Sequence, residues 1–505
     1  MNYYADVKPI ESPIPADRQG AKRHYGVHPY FTRRPYNVVR DYILRYSKEH
    51  DRVLDPFGGS GVTAIEALLE NRVGMQNDIN PLANFIAQGI ADLANGRLQE
   101  YADALHYLKE RCQRQIAEIS RLDERELHDL KQKIALPEDI ALPKNSDVAN
   151  YHELFSSRQL LSLALLKDAI ESIANEHARK GMLLAWSAAL SKLNKTFLSA
   201  EGRAESRGGS SIFSIYRYKV ARAPVELPPW ETFYERATNI LKAKIEIDQA
   251  INLKRQTGGW FGRFEAYAQD IEELSDRFRG GIDYIFTDPP YGGHISYLDL
   301  STLWSAWLGL SPDRKTREQE LIVGGELNLS ESLYVERLGR SIQACVRMLK
   351  PGRWFSIVFQ HWNTTYFEAI LSSAAKSGAE LRAAVSQVGD PIWSMHKKKN
   401  SSVLAGELIL TFYNTGARQK LKRAGTFDVS NVLREVLANA PDEKIYGEYL
   451  FNKIVIEAWK RSAIHKLNIS RNDFIDILEQ SGWHYDERKH YWVKQKPELL
   501  FNMQG

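Results

Sequence analysis

RVLDPFGGSGVTAIEALLE, residues 52–70, decides the architecture. It opens on a short apolar run, breaks at Asp55-Pro56-Phe57, turns through Gly58, Gly59 and Gly61, and continues with helical apolar spacing. A strand that passes directly into a helix through a tight turn needs backbone torsions that glycine alone adopts cheaply. Missing side chains let a ligand approach the main chain, and the helix N-terminus offers unpaired amides to it. VGMQND, residues 73–78, reads as a second strand, and Pro81 opens another helix, PLANFIAQGI. Asp78 stands about 20 residues past the glycines, where a Rossmann-type fold puts a carboxylate on ribose hydroxyls. The alternative reading makes Asp78 an N-cap ahead of Pro81.

Working outward, HPYFTRRPYNVVRDYI (28–43) precedes the first strand and reads as a helix led by Pro35. Residues 1–24 are polar and Pro-rich and read as an arm. From 86 to 260 long helical patterns replace the alternation, so this stretch reads as a helical insertion or separate lobe. Alternation resumes with FEAYAQD, DYIFTDPP and GRWFSIVF as strands, and ELRAAVSQVG with GELILTFYN as a closing antiparallel pair. The count is seven strands in an α/β, doubly wound, Rossmann-like sheet formed by residues 25–85 and 261–415. Residues 416–505 read as a small α+β unit, with helices followed by a WHYDERKHYWVK hairpin, compatible with a winged helix.

The chain has 505 residues, 43% hydrophobic and 26% charged, with a net charge of +4. That is the balance of an ordinary globular protein, so any nucleic-acid surface must be local. Cys112 and Cys345 have no metal-ligand spacing, which argues against zinc or disulfides and for a reducing cytoplasm. The N-terminus lacks an apolar signal region, and no apolar run reaches membrane-spanning length.

The second informative stretch is TDPPYGG, residues 287–293, directly after the strand DYIF. DPFGGSGVT and DPPY together resemble the S-adenosylmethionine-dependent amino-methylating DNA methyltransferases of the DPPY type. Their order, and the run YGGHISYLDLSTLWSAWL after DPPY, are similar to large adenine-specific members with a helical insertion. The resemblance implies S-adenosylmethionine as cofactor, with a methyltransferase version of the doubly wound fold. It implies a cofactor site at Tyr30, Pro35, Asp55, Pro56, Phe57, Gly58, Gly59, Ser60, Gly61, Thr63, Asp78, Ile79 and Asp270. For Asp270 a helix cap ahead of IEEL is the alternative. The catalytic quartet is Asp288, Pro289, Pro290 and Tyr291.

The chemistry suits these residue types. An exocyclic amine conjugated to a base ring is a poor nucleophile until acceptors hold its protons. The Asp288 carboxylate and the Pro289 carbonyl are two such acceptors, stiffened by paired prolines. Tyr291 offers a flat face to an extruded base. Asp rather than Ser before Pro-Pro-Tyr implies adenine N6 within this family.

Target recognition is expected in the insertion, where Lys192, Lys195, Arg203, Arg207, Arg217, Lys219 and Arg222 outnumber Glu201 and Glu205. A solvated mobile loop is the alternative. HKKKN (396–400) is a second basic loop, and His361 and Trp362 are candidates for the base pocket or a polar turn. The implied substrate is double-stranded DNA with a flipped base, and the setting restriction-modification or phage defence, with residues 416–505 open to DNA or a partner protein. Cytosine-N4 methylation of DNA, guanine-N2 methylation of RNA and an idle scaffold are the competing readings. Intact DPPY argues against the last.

Overall fold

The computed structural model describes residues 3–18, 21–198, 209–293, 295–361, 363–387, 407–418, 427–438, 444–445, 447–467, 471–486 and 491–494. It divides into two compact units. One comprises Gln19–Leu274 and Gly292–Tyr334, the other Met1–Arg18, Ser275–Tyr291 and Val335–Gly505.

In the first unit, α1 (Tyr36–Tyr46) has Pro35 immediately before its first turn. Then come β1 (Arg52–Asp55), α2 (Val62–Leu69), β2 (Val73–Asn77) and α3 (Pro81–Ala91). The core faces of α2 and α3 hold the small residues Ala64, Ala67, Ala83 and Ala87, all buried. Close approach to the sheet is enforced at Gly74, where a Cβ would stand 1.9 Å from the Ala64 carbonyl oxygen. The insertion follows as α4 (Leu98–Ile119), α5 (Ser157–Glu171), α6 (Glu176–Leu190) and the long α7 (Pro229–Thr257). A capping box at Ser156 and Gln159 starts α5, and Asn175 caps α6. The chain then returns to the sheet as β3 (Arg263–Tyr267), which pairs parallel to β2, and α8 (Ile271–Arg277) follows.

The second unit contributes β4 (Ile282–Thr287), most of α9 (Glu331–Met348), β5 (Leu349–Phe359), α10 (Thr364–Ser377), β6 (Ala379–Gln387) and β7 (Glu407–Asn414). Every residue of β4 is buried, as in a central strand. Asp283 within it is neutralised by Lys350 at 2.7 Å and Arg353 at 3.2 Å, which makes a carboxylate tolerable there. β4 and β5 are parallel, and β7 runs antiparallel between β5 and β6. The order β3-β2-β1-β4-β5-β7-β6 completes the expected mostly parallel seven-stranded α/β sheet. Part of the expected N-terminal arm is tied down. Trp354 Nε1 donates to the Tyr4 carbonyl at 2.7 Å, and Ile14 exchanges two hydrogen bonds with the Gln387 side chain.

At the C-terminal end, α11 (Val429–Ala438), β8 (Lys444–Ile445), α12 (Gly447–Lys460), α13 (Arg471–Gln480), β9 (Trp483–Asp486) and β10 (Tyr491–Lys494) follow in turn. Their strands form a small antiparallel sheet, ordered β8-β10-β9. No helix among the described residues is long and apolar enough to cross a membrane.

Candidate active site

The glycine loop is built by its own polar contacts. Asp55, at the end of β1, accepts from the Phe57 amide at 3.1 Å and from the Thr63 hydroxyl at 2.9 Å. These bonds latch strand, turn and helix together. Gly59 (φ +51°) and Gly61 (φ +91°) take the left-handed torsions that the turn requires. Asp78 receives the Gly59 amide at 2.8 Å on one oxygen and the Asn80 amide at 2.8 Å on the other. It therefore holds the loop as well as ending β2. The N-cap of α3 is Asn80, whose side chain accepts from Leu82, so the capping alternative for Asp78 falls to its neighbour. Burial raises the Asp78 carboxyl to about 6, and its two amide donors oppose that rise.

Residues distant in sequence close in on this loop. The Tyr30 ring lies 3.1 Å from where a Cβ on Gly59 would stand, so any side chain there would collide with it. Tyr30 is stacked at 6.4 Å on Tyr297, which lies after the DPPY motif but belongs to the same compact unit. Asn80 Nδ2 donates to Ser301 Oγ at 2.8 Å, and Gln76 Nε2 donates to the Gly59 carbonyl at 3.0 Å. Arg33 Nε donates to Ser60 Oγ at 2.8 Å, fixing the loop to the segment before α1. Glu320 is buried within reach of the Asp299 and Asp78 charges. It accepts from the Leu298 amide at 3.2 Å, and burial raises its carboxyl to about 8. Pro56, Ser60 and Thr63 are buried, whereas Phe57, Gly58, Gly59 and Ile79 remain partly open.

The DPPY quartet ends β4. Pro289 is buried, and Asp288, Pro290 and Tyr291 are partly exposed. The Tyr291 hydroxyl donates to Asp288 Oδ1, so the two functional side chains of the motif converge on each other. The Tyr291 ring packs edge-on against Phe359 at 5.2 Å, and Phe359 is backed by Phe367 at 5.3 Å and Tyr366 at 6.3 Å. This buried aromatic cluster fixes the ring plane of Tyr291. His361 accepts from the Asn363 amide at 2.9 Å and lies on Tyr366 at 4.3 Å, which is the geometry of a polar turn. Trp362 lies outside the described residues.

Among the remaining expectations, Asp270 accepts from the Glu272 amide at 2.8 Å at the start of α8, as a helix cap does. In the basic segment, Arg217 pairs with Asp147 at 3.0 Å, and Lys195 donates to the Glu153 carbonyl at 3.1 Å. Lys219 and Arg222 are exposed, and Lys192 is half-buried. Tyr218 is core, its hydroxyl donating to the Leu300 carbonyl at 2.7 Å. Arg203, Arg207 and the HKKKN loop lie outside the described residues.

Sequence reasoning missed Gln76, Asn80, Tyr297, Ser301, Glu320 and Phe359. Gln76 and Asn80 flank the predicted carboxylate and carried a local signal. The others reach the site only through the fold.

The family described as DNA methylase, of the N6/N4 type, matches residues 11–86, the segment holding Tyr30, Arg33, the glycine loop and Asp78. The type II methyltransferase M.MvaI of Kocuria varians is 23% identical over 291 residues, 55% of this chain and 56% of that protein. The orphan methyltransferase M.BamHII of Bacillus amyloliquefaciens is 40% identical over 67 residues, 13% of this chain and 23% of that protein. The chain thus spans about half the length of the first relative and about a quarter of the second. The glycine loop lies inside the matched segment, so over residues 11–86 the chain is similar to the amino-methylating DNA methylases.

Proposed function

We propose that this protein transfers a methyl group from S-adenosylmethionine to the N6 amino group of adenine in double-stranded DNA, within a restriction-modification or phage-defence setting. The carrying observation is that two chemically distinct loops each directly follow a strand of the seven-stranded sheet. The glycine loop follows β1, and DPPY follows β4.

The cofactor fits the residues present. Gly58 and Gly59 leave main chain open, and Asp78 keeps lone pairs beyond its two amide bonds for ribose hydroxyls. When bound, S-adenosylmethionine supplies an electrophilic methyl on a sulfonium. Asp288 accepts one proton of the target amine in a hydrogen bond, and the Pro289 carbonyl accepts the other, turning the nitrogen lone pair outward. Tyr291 offers its ring face for the base to stack on. Asp288 takes up the proton that the methylated nitrogen releases. The rate comes from positioning, with no covalent enzyme intermediate.

The reading is tested by incubating the protein with tritiated cofactor and duplex DNA or RNA, then separating the nucleosides. Label in N6-methyldeoxyadenosine is expected. Label in N4-methyldeoxycytidine would move the target to cytosine, and label confined to RNA guanine would overturn the substrate.

A further inference from the structure

The compact unit that carries the glycine loop holds a cavity of about 390 Å³ between the segment before α1 and the helical insertion. That volume lies in the range of small-ligand pockets, roughly 300–1,000 Å³. Its walls include His28, Arg33, Lys192, Phe197, Phe213 and Arg236. Three of the six are permanent or ordinary cations, and none of the six is acidic.

The cations differ in their partners. Arg33 is satisfied, since it donates to Ser60 Oγ at 2.8 Å, to the His28 carbonyl at 2.6 Å and to the Tyr25 carbonyl. Lys192 and Arg236 form no side-chain hydrogen bond or ion pair within the described residues, and Arg236 Nε is buried without a partner. Burial lowers both below their ordinary values, and the Arg236 charge lowers Lys192 further. Glu235 is the nearest influence of opposite sign, and it is solvent-exposed and bonds to neither. Bringing two cations together in a concave, partly dry site costs free energy unless an anion joins them.

His28 adds an independent sign of a ligand. It is fully buried, and its Nδ1 lies 2.6 Å from the Pro29 carbonyl. A carbonyl only accepts, so Nδ1 carries the proton and Nε2 presents a bare lone pair. That Nε2 has no partner. Burial lowers the ring to about 3, so it stays neutral and does not compete with an anion by charging. Phe213, partly exposed, and Phe197, buried, supply apolar faces. Cations for a phosphate, one acceptor for a hydroxyl or amine, and aromatic faces for a ring together describe a nucleotide.

We infer that this cavity binds a nucleotide through its phosphate, held by Lys192 and Arg236, with Phe213 against its sugar or base. Resting on the proposed DNA substrate, the nucleotide belongs to the strand flanking the target base. A free mononucleotide presents the same chemistry.

The test uses the full chain and a fluorescent 25-base-pair duplex, titrated between 50 and 200 mM salt. The double variant Lys192→Ala, Arg236→Ala should bind about tenfold or more weakly. The slope of log affinity against log salt should shrink by about 1, the share of one neutralised phosphate. Calorimetry with adenosine monophosphate and with inorganic phosphate forms the second arm. Silence there with loss of duplex binding assigns the cavity to the strand, and binding there that the double variant abolishes assigns it to a free nucleotide. Unchanged duplex affinity and salt slope, with no small-ligand binding, overturn the inference. Cofactor affinity and melting temperature check the fold. Should the double variant melt early, Lys192→Gln alone gives the reading. Methyl transfer by the unmodified protein, run on the same duplex, separates failure of this cavity from failure of the proposed activity.

Discussion

Replacing Asp78 by alanine should cripple cofactor binding, and the size of the effect follows from its contacts. Its two oxygens hold the Gly59 and Asn80 amides, each at 2.8 Å. A hydrogen bond to a charged acceptor contributes about 1.5–3 kcal/mol. Losing one such bond to the ribose lowers affinity roughly 10- to 150-fold, and the unheld Gly59 turn adds to the loss. Titration calorimetry with S-adenosylmethionine reads this directly. The pH dependence gives a second reading. With the carboxyl at about 6, nearly all of Asp78 is ionised at pH 8 and about one-tenth at pH 5. Affinity should therefore fall about tenfold between those values, and the alanine variant should lose that dependence. The effect on folding has the opposite sign. A carboxyl raised above its ordinary 3.8 favours the protonated folded state, so Asp78 contributes stability at low pH that is lost as pH rises through about 6. An alanine variant with unchanged affinity and an unchanged pH profile would refute the reasoning.

Gly74→Ala should destabilise the fold by about 3 kcal/mol or more, because its Cβ would meet the Ala64 carbonyl at 1.9 Å. An unshifted denaturation midpoint would show that the backbone yields there. Glu320, raised to about 8 by burial, contributes stability below its ordinary range that is lost as pH rises through 8. Glu320→Gln should accordingly match the unmodified protein in melting temperature at pH 4 and exceed it at pH 9, and a lower value at pH 9 counts against the assignment. Tyr291→Phe keeps the ring and loses only the bond to Asp288, so methyl transfer should stay within about tenfold, whereas Tyr291→Ala should lose a stack worth about 5- to 150-fold. Equal losses would contradict a stacking role.

Much of this was legible in the chain because its signals are local. The glycine turn, Pro35 before α1, Pro81 opening α3 and the apolar run into DPPY each impose backbone geometry within a few residues. Asp78 was readable as the residue just after the second strand, yet its amide bonds to Gly59 and Asn80 depend on how the β1 and β2 turns face each other, which no spacing rule states. Tyr297 and Ser301 could not be read, since they reach Tyr30 and Asn80 across more than 200 residues of chain. The basic segment illustrates the limit of counting charge. Arg217 is already paired with Asp147, and Tyr218 lies in the core, while among the described residues two half-buried cations without a side-chain partner are Lys192, which the count included, and Arg236, which it did not.

The central claim is that Asp288 grips the reacting amine. Single-turnover methyl transfer with saturating cofactor and DNA, comparing the unmodified protein with Asp288→Asn, tests it most directly. The rate should fall about 100-fold or more while both dissociation constants stay within about threefold. A variant that transfers methyl at the original rate, or whose defect disappears at higher cofactor concentration, would contradict the account.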